Sequence, residues 1–380
     1  MRSFADQLAG GLRSRGHRVY ELTAPVVVAR LAGGHRGLRK WLGYIDQFVL
    51  FPPLLLLRRR RLPSHSLCVF ADQALGPWIP LLKHRPHVIH VHDLLALEGA
   101  FGEQPFHPVR FSGRLYQRWI RRGFRKGRYF LSVSAASRRA LARHLPVAPL
   151  ASEVLYNPLP PRFAPLAASV ASADLKTSLP DVCNRPYLFH IGRNWYKNRL
   201  GLLMIWQQLH QLGVDVDLVM VGQLEPSLSA WIAQRPSLQP HLHVLDRASD
   251  QLIVALYNRA EALLFPSHCE GFGWPVLEAM ACGCPVISTD RAPMSEVAGE
   301  AATLLPPCPV ETADQEAWAY QGALRVLEVL QRPQNVRQHA REQGLLQARR
   351  FHYSDWLDQL EVHYQRALAM REHLCRCTSQ

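Results

Sequence analysis

Short apolar runs, each opening into a loop and then a stretch of helical periodicity, recur along this chain and leave few folds open to it. LCVFADQAL (67–75), PHVIHVHDLLAL (86–97), RYFLSVSAASRRAL (128–141) and SEVLYNPL (152–159) form one series. YLFHIGRNWYKNRLGLLMIWQQL (187–209) and DLVMVGQ (217–223) continue it. Their strand cores read as buried, and strands alternating with helices argue for α/β architecture built on parallel, doubly wound sheets. Ligands of such sheets sit at the carboxyl ends of the strands. At 380 residues the chain is long for one core and natural for two domains. The expected division is residues 1–165, residues 180–350 and a terminal helical segment over 351–380. The Ala-, Pro- and Ser-rich stretch 163–185 reads as the linker.

The N-terminal residues 1–17 read as an amphipathic helix with Phe4, Leu8 and Leu12 on one face, not as a secretion signal. RGHRVYELT (15–23) then reads as a strand. A hydrophobic content of 48% is that of a globular protein. The eight cysteines include no CxxC pair. Their CxC spacings at Cys282/Cys284 and Cys375/Cys377 suit neither zinc nor a disulfide framework, which favours a reduced, cytoplasmic setting.

Charge is unevenly placed. Residues 1–160 hold 25 Lys/Arg against eight Asp/Glu, while the remainder holds 19 against 22. The first half therefore faces something anionic: nucleic acid, an acidic acceptor or a phospholipid surface. No nucleic-acid signature accompanies the charge, so a nucleic-acid partner is not expected. The run FVLFPPLLLL (48–57), followed by Arg58–Arg61, is too short to span a bilayer. It fits either shallow insertion beside anionic headgroups or a buried helix entering a basic loop.

EGFGWPVLE (270–278) carries the strongest chemical signal. Gly271 and Gly273 allow backbone amides close to a ligand, and Pro275 suits the first turn of a helix. Glu270 then lies in the loop and Glu278 about one turn into the helix, so both can face one molecule. The helix N-terminus suits phosphate, and the carboxylates suit sugar hydroxyls. Together they describe a nucleotide-sugar site.

The segment 263–306, LLFPSHCEGFGWPVLEAMACGCPVISTDRAPMSEVAGEAATLLP, closely resembles the donor-binding segment of glycosyltransferase family 4 (group 1), retaining enzymes of the GT-B fold. The resemblance implies two Rossmann-like domains facing a cleft, with a Glu–seven residues–Glu signature. By position, Glu270 would meet hydroxyls of the donor sugar and Glu278 the nucleotide ribose, with Gly271, Phe272 and Gly273 between them. HVHD (90–93) resembles the family's strand-end His-Asp, implying that His92 meets the sugar near its 6-hydroxyl, with Asp93 beside it. GRNWYK (192–197) resembles the Gly–Arg…Lys diphosphate clamp, implying Gly192, Arg193 and Lys197, with Asn198 capping the helix beyond. HLHVLDRAS (241–249) resembles the base-binding segment, and FHYSDWLDQLEVHYQRALA (351–369) a terminal helix that crosses back to the first domain. Family members usually begin with a strand before their first helix, so the N-terminal domain is expected to lack that strand.

His92, Glu270, Arg193 and Lys197 are thus the expected catalytic groups. The donor is a nucleotide-diphosphate sugar (GDP- or UDP-linked, GDP-mannose among them) and the acceptor a glycan or lipid-linked glycan of surface polysaccharide assembly. No cofactor and no metal are expected. His87, His90 and His92 are few for a metal site, and the DxD triplet Asp215–Val216–Asp217 lies at the entrance to a strand, the wrong end for a ligand. The alternatives are a GT-B epimerase or phosphorylase, and an inactive, basic protein of the membrane surface.

Overall fold

The computed structural model describes residues 2–377 apart from 34, 64 and 105–108. The N-terminal sheet has four parallel strands in the order β1-β2-β3-β4: β1 (Cys68–Phe70), β2 (His87–Val91), β3 (Tyr129–Ser132) and β4 (Ala151–Val154). The second sheet has six: β5 (Tyr187–Ile191), β6 (Asp217–Val221), β7 (Leu242–Leu245), β8 (Ala262–Phe265), β9 (Val286–Thr289) and β10 (Ala302–Leu305). Their order is β10-β9-β8-β5-β6-β7, every pair parallel. The winding reverses between β5 and β8, and a crevice opens where two neighbouring strands send their loops in opposite directions. The loops leaving β5 and β8 hold GRNWYK and CEGFG, so the topology alone brings those motifs together.

Helix starts follow their caps. Ser134, Asn198 and Ser249 each accept a backbone N–H of the following first turn, from Ser137, Gly201 and Leu252. The helix Arg2–Ser14 buries Phe4 and Leu8 as its periodicity requires, against Val88, Tyr129 and Leu131 of the first sheet. The terminal helix Tyr353–Cys377 joins the same cluster through Trp356, Leu360 and Tyr364. Each such side chain contributes about 2 kcal/mol on burial, so the last helix is a structural part of the first domain. Polar ties reinforce the crossing: the Tyr353 hydroxyl donates to the Gln7 carbonyl at 2.8 Å, and Arg15 pairs with Glu361 at 2.9 Å. The side chains of Cys375 and Cys377 lie outside the described residues, whereas Cys282 and Cys284 are free and buried.

Two sequence expectations are corrected here. RGHRVYELT forms no strand. The segment lies over the core through Leu22 and Ala24, leaves Tyr20 exposed, and pairs Glu21 with Arg13. The 163–185 stretch is not a plain linker, because it contains the helix Ala168–Ser178. Ala171 and Leu175 are completely buried in the second domain's core, and the Leu166 amide donates to Asn258 on the neighbouring helix Asp250–Arg259. Its alanines favour a helix that can pack closely, which the flanking Pro and Ser residues obscure. Among the described residues, no helix is long and apolar enough to cross a membrane.

Candidate active site

The site is assembled from the ends of β5, β8 and β2. After β5, Gly192 adopts φ +112°, and a Cβ there would meet the Lys197 side chain at 2.7 Å. Only glycine therefore lets the turn Trp195–Lys197 fold Lys197 back over the sheet. Its ammonium sits 4.4 Å from the Phe265 ring centroid and 2.8 Å from Glu270 Oε1. Both side chains of this pair are more than nine-tenths buried. Burial holds the Glu270 carboxyl above the usual range despite the attraction of Lys197. Arg193, the other expected clamp residue, is exposed at the mouth of the same turn.

After β8, Gly273 (φ +97°) leads into the helix Trp274–Ala281, with Pro275 in its first turn. Glu278 lies on that helix and accepts a 2.9 Å hydrogen bond from the Tyr257 hydroxyl. Burial pushes its pKa up to about 7. The folded protein thus holds a proton that the unfolded chain, with the usual value of 4.5, has released. The stability this group contributes is complete below pH 4.5 and is lost as pH rises through about 7. Glu278→Gln should therefore melt increasingly above the wild type between those values, with a constant gap at higher pH. Parallel melting curves across that window would show that the carboxyl is already ionised.

β2 delivers His90 and His92 to one sheet face, where the Phe4 ring covers both at centroid distances of 5.2 and 4.5 Å. His92 Nε2 bonds to the Ala71 carbonyl at 2.9 Å, and its backbone N–H donates to Gln73 Oε1. Burial lowers its pKa, so the ring is a neutral donor oriented by Ala71. The Asp93 carboxylate accepts from the Leu95 amide, and burial raises its pKa. His87 Nδ1 bonds to the Arg85 carbonyl while its Nε2 accepts from the Arg128 amide, and His90 Nε2 bonds to the Tyr364 hydroxyl.

The two domains meet at Gly271. A Cβ on it would lie 2.3 Å from the His92 carbonyl oxygen and 2.8 Å from Asp93 Cβ. Its own carbonyl accepts from Ser134 Oγ at 2.9 Å and Ser137 Oγ at 3.1 Å. Beside it, Glu296 accepts from the Ala135 amide at 2.8 Å and from Arg139 at 2.9 Å. Ser137 and Glu296, and the reach of the helix cap Ser134 to Gly271, escaped the sequence reading, since nothing local marks a contact between residues more than 130 positions apart. Arg199 also escaped it. Almost completely buried, it donates to the Gly222 and Gln223 carbonyls and to Glu225, which fixes the loop leaving β6. A cation at the positive end of a helix was the available signal, because it must be held there by something.

Phe272 is 3% exposed, and its ring packs against Tyr156, Trp274 and Phe351. The DxD triplet behaves as a structural cluster: Asp217 is completely buried and accepts from Arg185, His241 and His243 at the entrance to β6. Among the described residues, two groups have metal-compatible spacing, Asp215/Asp217/His241 and Glu98/Glu103/His144. In each, an arginine already bridges the carboxylates, Arg185 in the first and Arg143 in the second.

Two doubly wound domains, with a buried lysine and a helix N-terminus at the switch point of the second sheet, define the GT-B architecture. The chain belongs to the group 1, family 4 glycosyltransferases: residues 1–163 match the Glycosyltransferase Family 4 domain and residues 185–322 the Glycosyl transferases group 1 domain. It is 29% identical to O-antigen chain mannosyltransferase B of Escherichia coli over 42% of this chain and 40% of that one. It is 26% identical to the O-antigen chain mannosyltransferase RfbU of Salmonella typhimurium over 66% of this chain and 63% of that one. The alignments thus span less than two thirds of either relative. In fold it is similar to WaaG, a glycosyltransferase involved in lipopolysaccharide biosynthesis, at TM-score 0.68 and 16% identity over 94% of both chains. Anabaena HepE in complex with UDP-glucose gives TM-score 0.64 at 20% identity, over 83% of this chain and 82% of HepE.

Proposed function

We propose that this protein transfers a sugar, with retention, from a nucleotide-diphosphate donor to a glycan or lipid-linked acceptor in surface polysaccharide assembly. The observation that carries the reading is the buried Lys197–Glu270 pair at the switch point, beside the helix that bears Glu278. A cation held there without water suits the charge that develops on a departing diphosphate, and Arg193 and the helix N-terminus add to it. Leaving-group charge can thus be met by protein groups, so no metal is required in this mechanism. Glu270 orients the sugar hydroxyls, neutral His92 lies across the cleft from it, and Glu278 faces the ribose. Catalysis is then mainly positioning and electrostatics, with the acceptor hydroxyl attacking from the face the nucleotide leaves. The mannosyltransferase relatives make GDP-mannose the first donor to try, ahead of UDP-sugars. The enzyme would work on the cytoplasmic side, peripheral to an anionic membrane.

The test is nucleotide release from GDP-, UDP- and ADP-sugars with a glycan acceptor, on the wild type and Glu270→Ala. Release from one donor, reduced at least about 100-fold in the variant, is the expected result. Conversion of the donor without acceptor would instead identify an epimerase. Release that survives Glu270→Ala would remove the site assignment.

A further inference from the structure

Tyr196 stands between Arg193 and Lys197 on the turn that leaves β5. Its backbone is tied to the other half of the site: the Tyr196 carbonyl accepts the His268 amide at 2.8 Å, two residues before Glu270. Its half-buried ring walls in the lysine. The Lys197 ammonium lies 5.3 Å from the Tyr196 centroid and 4.4 Å from that of Phe265, while Glu270 Oε1 holds it at 2.8 Å. Two rings and a carboxylate thus shield the ammonium from water.

Shielding does not account for the hydroxyl. Asn194, exposed beside the turn, donates its Nδ2 hydrogen to Tyr196 Oη at 2.7 Å. The tyrosine oxygen is the acceptor in that bond, which leaves its own hydrogen for another group. Burial pushes the hydroxyl pKa up to about 12, and the carboxylates Glu270 and Asp93 add to the shift. The group is therefore a neutral O–H donor at any working pH, with a carboxylate from each domain in electrostatic reach. On the transfer reading above, Glu270 meets the sugar and Lys197 the diphosphate. The bond to be broken then lies between these two groups, beside Tyr196.

We propose, resting on that reading, that Tyr196 is a further catalytic residue whose hydroxyl donates a hydrogen bond to the diphosphate oxygen that leaves the sugar, with Asn194 the positioning residue that aims it. As the bond from the sugar's anomeric carbon breaks, its electron pair stays on the diphosphate oxygen, and the hydrogen bond from Tyr196 tightens on that charge. The tyrosine keeps its proton throughout. The acceptor hydroxyl forms the new bond to the anomeric carbon and passes its own proton to the diphosphate.

A phenyl ring would shield the lysine equally well, which makes Tyr196→Phe the decisive variant. The experiment compares it with the wild type and Asn194→Ala in two assays. One is transfer from the donor that the wild type uses; the other is calorimetric binding of GDP against GMP and of UDP against UMP. Tyr196→Phe should lower kcat about 100-fold with little change in donor KM, the pattern of a contact made in the transition state. It should weaken the nucleoside diphosphate about 10-fold and leave the monophosphate unchanged, because only the diphosphate carries the oxygen that the sugar releases. Asn194→Ala should lower kcat about 5-fold, and adding it to Tyr196→Phe should cost nothing more. Asn194 is already in water, so its variant carries the test should the ring variant fail to fold. Wild-type kcat in Tyr196→Phe, equal losses for diphosphate and monophosphate, or additive losses in the double variant would each overturn the proposal and leave the transfer reading standing. A wild type that binds neither diphosphate would overturn both.

Discussion

Lys197→Met should lower sugar transfer by at least about 100-fold and destabilise the protein by about 3 kcal/mol. Two separate physical effects are involved, and a second variant tells them apart. The stability loss arises because Glu270, 8% exposed, keeps its charge in a dry setting once its 2.8 Å partner is gone. Glu270 can escape by taking a proton, since burial already holds its carboxyl above the usual range. A raised carboxyl pKa costs nothing below the unfolded value and costs progressively more as pH rises through the folded one. The Lys197→Met deficit should therefore grow from pH 5 to pH 8 in urea titrations. Adding Glu270→Gln removes the stranded charge, so the double variant should recover most of the stability and none of the activity. Additive stability losses would mean that the two side chains do not depend on each other. Wild-type turnover in Lys197→Met would mean that the lysine meets no developing charge.

This pair also shows how far the sequence could be read. Glu270 is singled out by the glycines and the helix start that follow it, Lys197 by the resemblance of GRNWYK to a diphosphate clamp. Their mutual contact was not legible, because it depends on β5 and β8 being sheet neighbours across 73 residues. The centre of the C-terminal sheet was readable because β5, β6, β8 and β9 are buried on both faces and nearly continuous in apolar residues. RGHRVYELT misled for the converse reason. Its apolar residues look strand-like, but among the described residues no ladder forms on it. Phe272 sits inside a motif of glycines and carboxylates, yet its ring joins the hydrophobic core, a choice only packing makes.

Gly271→Ala should produce a different kind of failure: two intact domains that no longer close. The added methyl would lie 2.3 Å from the His92 carbonyl oxygen and 2.8 Å from Asp93 Cβ, distances that no side-chain rotation relieves. Because φ at Gly271 is not in the left-handed region, alanine suits the loop itself, and the clash lies wholly between domains. The cheapest response is for the cleft to open by about an ångström, which lengthens the Ser134 and Ser137 bonds to the Gly271 carbonyl. Displacement on that scale costs about 100-fold in a reaction that relies on positioning. Turnover should fall by that factor while the melting temperature changes little, since neither sheet nor core is touched. Small-angle scattering should show a larger radius of gyration. Glu296→Gln should move in the same direction but less, because it removes one charge from the Ala135–Arg139 contact and adds no bulk. A Gly271→Ala protein that turns over normally would show that His92 and Gly271 need not approach for transfer. One that simply melts would show that the domains depend on this junction for stability, leaving the order of closure and chemistry to be read from Glu296→Gln.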